Sequence, residues 1–365
     1  MKSTSIYLDK LDYSTKEENI FQSSDFKITF FKYDSGIDAI KLYAKNFSFV
    51  ILPFMGHQIW SYEYQGEIIS QKSIFDSPLN TKKFGDTYGA FLIHCGLINI
   101  NGPSESEDYP IHGELPFANF KNNRIEIGED ENGEYIGITG IYEYKNSQDY
   151  YWEYIPMLKI RKNSDVLEME IKINNKRYDE LNYVFMCHMN WLGVDKSRLV
   201  YSAKKDYENF RIQDLPLIAT SERERNLLNF VESIKEDPFK LDIVDFENQI
   251  FAPELCVNIK YEKDSKGFAH SMQILPDGKA YYVSFDATKL PFGLRWYCKS
   301  NEENGLGFCL PTTGSNESTK HQYEKGYFNT IPSYSSDSFK FKFGVLQENE
   351  AKNIEEKIKK IIKEE

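Results

Sequence analysis

Alternation is the feature that most constrains this chain. Short runs of Tyr, Phe, Ile and Val, broken by a polar residue at every second place, recur along nearly all of its 365 residues. A period of two puts apolar side chains on one face of a pleated strand and polar ones on the other, the pattern of antiparallel sheets. The 25 tyrosines and 26 phenylalanines suit half-buried sheet surface. Three hairpins are expected. Residues 124–130 lead through Asn132-Gly133 into 135–138, and residues 157–161 lead through Asn163-Ser164-Asp165 into 167–173. The third joins 60–64 to 67–70 across Gln65-Gly66.

Helix is expected in two places. Residues 348–365 set Ile354, Ile358 and Ile361 at spacings of four and three among Lys and Glu, an amphipathic terminal helix. The charged stretch 220–239 is read as a short helix inserted at a sheet edge. Length alone gives a prior of about two domains at roughly 150 residues each, which large β-folds override. There is no repeat and no Pro-, Gly- and Ser-rich linker, and strand patterns continue across every midpoint. The expectation is therefore all-β, one domain over residues 1–365. It comprises N-terminal strands at 1–50, a core of face-packed antiparallel sheets at 50–345 and a C-terminal helix at 348–365.

Charge and cysteine usage exclude several partner classes. Forty-four basic against 56 acidic residues give a formal charge of −12, which disfavours nucleic acid and anionic membrane surfaces. The longest apolar run, 49–55, contains Pro53 and is far shorter than the roughly 20 residues needed to cross a bilayer. The N-terminal residues show no apolar stretch of a secretory signal, and the five cysteines are scattered without a CxxC pair. The expectation is a cytoplasmic protein without a disulfide framework, monomeric or homodimeric.

Six histidines are few for this length, so their company is informative. His94, His112 and His188 each lie beside Gly, Pro or an aromatic residue at the end of an apolar run, read as strands emerging into loops. Imidazole titrates near neutrality, so a pair across a substrate exchanges protons at working pH. The same three with Glu114 are also a candidate ligand set for a divalent metal, which would make the protein a metal-dependent sugar isomerase or lyase. Trp191 and Trp296 adjoin Asn190 and Arg295, pairing a ring face for a sugar's C–H groups with polar groups for its hydroxyls. A non-catalytic carbohydrate-binding protein is the third reading. Anionic sugars would need local basic residues, for which Arg177 and Arg295 are candidates.

The blocks Pro53–Trp60, Tyr88–Leu97, Ile111–Pro116 and His188-Met189-Asn190 together resemble the aldose 1-epimerase (galactose mutarotase-like) superfamily. The stretches His270–Gln273, Leu294-Arg295-Trp296 and Leu306–Pro311 follow in matching order. The similarity runs from about residue 50 to 345, within a branch related to deoxyribose mutarotases. It implies a large antiparallel β-supersandwich and cofactor-independent interconversion of sugar anomers. A glutamate takes the proton of the C1 hydroxyl while a histidine protonates the ring oxygen, and the opened aldehyde rotates before reclosure. By resemblance His188 is the acid and His112 binds the ring or C1 oxygens. Asn190 and Trp191 lie in the polar or aromatic neighbourhood after the acid, and Arg295 and Glu114 join them against the sugar. Ala90 stands where the family has a substrate-binding arginine, with His94 as its substitute. The base glutamate should follow the strand 306–310, but Pro311-Thr312-Thr313 follows instead. Glu317 is taken as the base, with Glu324 and Glu114 as the other candidates.

Overall fold

The computed structural model describes residues 3–363 apart from Pro216. Two antiparallel sheets dominate. One has nine strands, ordered 3–7, 121–130, 133–146, 150–161, 166–175, 336–346, 280–286, 268–274 and 198–201. The other has thirteen, and five of them frame the site: β1 (Leu92–Leu97), β2 (Leu181–Met189), β3 (Phe251–Lys260), β4 (Phe292–Lys299) and β5 (Asn304–Thr312). Across this sheet the order is 210–212, β3, β4, β5, β2, β1, then the strands 58–64, 47–52, 38–43, 27–32 and 18–22, with 329–331 paired to β2 and 67–68 to 58–64 off this path.

All three expected hairpins are present. Glu129 faces Glu134 across the Asn132-Gly133 turn, where Gly133 has φ +100°, and Lys159 pairs with Glu168 across the next. The alternation seen in the sequence becomes two faces. In strand 336–346, Phe339, Phe341, Phe343 and Val345 are buried, while Lys340 and Lys342 face outward to Glu170 and Glu168. The phenylalanine row meets the second sheet directly: Phe339 lies 4.9 Å from Phe185 and Phe343 5.9 Å from Phe91. Burying each such ring contributes roughly 1.5–3 kcal/mol, so this seam fixes how the sheets stack.

Both expected helices form. α1 (Glu222–Glu236) starts at a Ser221/Glu224 capping box and buries Leu227, Val231 and Ile234. The C-terminal helix, Glu348–Lys363, lays Ala351 and Ile358, flanked by Ile354 and Ile362, over Met272, Tyr282 and Leu346 on the outer face of the nine-stranded sheet. Residues 364–365 of the expected span lie outside the described residues. A further helix, Thr319–Lys325, was not expected, because seven residues are too few to display a helical period. No helix among the described residues is long and apolar enough to cross a membrane.

Burial pushes five imidazoles down: His57, His94 and His188 to about 3, His112 and His270 to about 4. An unfolded chain takes up these protons near pH 6.5 while the native chain does not, so stability is intact above pH 6.5 and lost as pH falls below it. The expected loss is about 1 kcal/mol per histidine over the first unit below 6.5. Urea unfolding at pH 7 and pH 5.5 checks this. An unchanged midpoint would contradict it.

Candidate active site

Parity along the strands decides which side chains meet. On β2, Tyr183 and Phe185 pack against Phe339 between the sheets, so Met186 and His188 point to the opposite face. On β3, Glu254 and Cys256 share that face, and on β4 Leu294 and Trp296 do. Loops carrying Tyr88, Asn101, His112 and Asn316 rise around it. Together they enclose a cleft of about 430 Å3. A hollow of about 510 Å3 near the 21–26 turn is larger, but its lining includes no histidine.

Inside the cleft the groups are close. The Tyr88 hydroxyl and His188 Nε2 share a hydrogen bond of 3.1 Å. The His112 and His188 rings stand 5.5 Å apart, and Trp296 is 5.5 Å from His188 and 5.7 Å from Tyr88. The indole Nε1–H of Trp296 donates to Glu254 Oε2 at 2.7 Å. Gly305 leaves room for that indole, since a Cβ there would fall 2.6 Å from it.

The electrostatics separate the two titratable partners. Glu254 is exposed to solvent at the cleft, with its carboxyl held against the Trp296 indole. Desolvation raises its pKa above the usual carboxylate value, with Glu303 adding to the rise and the Trp296 bond opposing it. His188 goes the other way. Burial lowers it to about 3, His112 lowers it further, and Asn190 partly offsets both. His188 Nδ1 has no partner.

The His112 turn is built by backbone contacts. Gly96 N–H donates to His112 O at 3.0 Å, His112 N–H to Asn101 O at 2.8 Å, and Glu114 and Leu115 N–H both to Gly96 O. Glu114 accepts from the N–H groups of Ile98 and Asn99 and from Asn99 Nδ2 at 2.5 Å. Its carboxylate therefore braces the turn instead of facing the cleft. Gly113 must be glycine: φ is +81°, and a Cβ would sit 2.0 Å from Asn99 O.

The other expected site residues lie elsewhere. His94 is in the middle of β1, not at a strand end, and faces the inter-sheet core, where Nδ1 bonds the Tyr154 hydroxyl at 2.9 Å. One residue of parity turns it away from the cleft. Arg295, next to Trp296, is fully buried on the core side over the Tyr201 ring, 3.7 Å from Asp242. Trp191 stacks on Tyr281 in the core, whereas Asn190 stays beside His188, raising its pKa while its Nδ2 donates to Ala90 O. Glu317 pairs with Arg211, neither of them lining the cleft, and Glu324 is exposed on the 319–325 helix. Arg177 pairs with Asp179 outside the cleft. His94, His112, His188 and Glu114 thus do not converge. Among the described residues no group of three or more His, Cys, Asp or Glu is placed to hold a metal.

Glu254, Tyr88 and Asn316 were missed. The available signal was in strand 251–260, where Leu255, Val257 and Ile259 alternate with Glu254, Cys256 and Asn258. That polar face reads as solvent-facing until distant loops are seen to roof it.

No protein-family model matches the chain, and no curated protein sequence does. Solved structures do. A putative aldose 1-epimerase from Klebsiella pneumoniae superposes with a TM-score of 0.80 at 14% identity, over 99% of this chain and 96% of that one. The chain has the galactose mutarotase-like fold. A galactose mutarotase-like protein from Clostridium acetobutylicum matches at TM-score 0.59 and 13% identity, over 89% of this chain and 100% of the other. A galactose 1-epimerase from Lactobacillus acidophilus gives 0.52 at 10% identity, over 89% and 99%. The antiparallel supersandwich implied by the sequence blocks is thereby established, including its C-terminal helix.

Gly113→Ala is expected to lower the melting temperature, since the left-handed backbone and the clash together cost more than about 1 kcal/mol. It should also shift the His112 ring resonances. Thermal melts and histidine NMR check both, and wild-type values for the two would contradict the bracing role of this turn.

Proposed function

We propose that the protein interconverts the anomers of a free aldose by acid/base ring opening at the cleft between His188 and Glu254. The observation behind this reading is the pairing, across one cleft, of a carboxyl pushed up with an imidazole pushed down. Groups whose environments drive their pKa values apart are suited to opposite proton roles.

Opening an aldose ring takes a proton from the C1 hydroxyl and delivers one to the ring oxygen. Closing it from the other face reverses both transfers. One proton shared by two groups therefore suffices for the cycle, with no cofactor. Of the two groups, burial favours the protonated form of Glu254 and disfavours that of His188, so Glu254 is assigned the shared proton in this proposal. Glu254 then protonates the ring oxygen, and neutral His188 takes the C1 proton. This is the reverse of the roles expected from the resemblance, and it puts Glu254 in the place expected for Glu317. Tyr88 orients the His188 ring, Trp296 holds Glu254, and His112 donates or accepts at the sugar's oxygens.

A sugar seated against Glu254 is expected to desolvate it further and to raise its pKa again. At saturating sugar, exchange is expected to fall about tenfold per pH unit above that value and to show no inflection near pH 6.5. His188→Ala and Tyr88→Phe are expected to slow exchange, the first by about 100-fold or more and the second less. Saturation-exchange NMR of anomeric protons, over a pH series and a panel of free aldoses, is the test. Wild-type rates in His188→Ala would end this reading, and sugar binding without exchange would leave a carbohydrate-binding protein.

A further inference from the structure

The cleft is longer than one sugar ring. His188 stands on β2 and Gln213 just past strand 210–212, opposite Cys256 of β3, with four strand spacings between them. At about 4.8 Å per spacing the floor runs roughly 19 Å. A pyranose with bonds near 1.5 Å spans only about 5.5 Å from O1 to O4. His188 on β2, Trp296 on β4 and Glu254 on β3 span three of these four spacings across the floor. Four residues along β3 from Glu254, about 13 Å at roughly 3.3 Å per residue, Asn258 holds a wall of different chemistry.

That far end is built from carboxamides. Asn316 and Asn258 bond reciprocally, Asn316 N–H to Asn258 Oδ1 at 2.9 Å and Asn258 Nδ2 to Asn316 Oδ1 at 2.6 Å. The exchange occupies the Asn316 oxygen and leaves its NH2 for a ligand. Asn101 clamps the same loop by donating to the carbonyls of Ser315 and Glu317 at 2.9 and 2.8 Å. Gln213 lines the cleft beside them with no side-chain hydrogen bond to the described residues. Amides that both donate and accept match sugar hydroxyls. Glu254 is the one carboxylate among the described lining residues, and none of them is Lys or Arg. An anionic sugar would find no Lys or Arg among these lining residues to pair with.

We infer that the Gln213–Asn316 end of the cleft is a second sugar subsite, and that the preferred substrate is the reducing end of an uncharged disaccharide or longer saccharide. This rests on the acid/base reading for turnover, but not for binding. The reacting ring lies between His188 and Glu254. The next ring lies over the carboxamides.

The test compares maltose, cellobiose and lactose with glucose, galactose and glucose 6-phosphate, on the same wild-type protein. Saturation-transfer-difference NMR reads affinity, and anomeric exchange reads turnover. The expected result is at least fivefold tighter binding for one of the disaccharides than for its component monosaccharides, with glucose 6-phosphate weakest. Gln213→Ala, which removes no hydrogen bond within the protein, is expected to bring the disaccharide within twofold of the monosaccharide. Equal affinity for monosaccharides and disaccharides, or preference for the phosphate, overturns the second subsite while leaving ring opening intact. Tighter disaccharide binding without exchange keeps the subsite and removes the acid/base reading. No binding by any sugar in the panel overturns both.

Discussion

Strand β2 is buried along almost its whole length, and both of its faces are spoken for. One packs Tyr183 and Phe185 against the phenylalanine row of the nine-stranded sheet. The other carries Met186 and His188 under loops from residues 84–116 and 311–326. A sheet covered on only one side would leave His188 in water, with a pKa near 6.5 and no neighbour held in place. Covering the second face with loops, instead of a third layer, leaves a roofed cleft. The hydrophobic seam between the sheets therefore fixes the strand parity, and the parity fixes which side chains share the cleft.

Within that cleft, partial water exclusion does the chemical tuning. The same desolvation moves carboxyl and imidazole in opposite directions because it disfavours the charged form of each. Trp296 holds the carboxyl through one of its two oxygens. The His112 turn reaches the site through backbone bonds to Gly96 and the Glu114 brace, so its imidazole stays unencumbered for a substrate. Framework polar groups and reacting polar groups are thus different residues, even where they are neighbours in sequence.

Much of the fold was legible in the sequence. Alternation gave the hairpins at 124–138 and 157–173, and a four-and-three spacing of isoleucines gave the terminal helix, because these patterns are local and periodic. The site was legible only in part. His112 and His188 could be recognised from their Gly- and aromatic-rich surroundings. Glu254 could not, since a glutamate on the polar face of an amphipathic strand looks the same whether water or a loop lies over it. His94 and Arg295 show the converse. Each lies one residue from a cleft-facing position and points to the core, where a polar side chain is not expected without its partner from the other sheet. Glu114 keeps its carboxylate for the backbone, a role that no spacing rule announces.

The account turns on which carboxylate handles the proton. The most direct measurement is anomeric proton exchange, on a sugar that the wild-type protein accelerates, in Glu254→Gln and Glu317→Gln side by side. Loss of acceleration by about 100-fold or more in Glu254→Gln, with Glu317→Gln close to wild type, is the predicted result. Full activity in Glu254→Gln would contradict it, most clearly if Glu317→Gln were the variant that lost exchange.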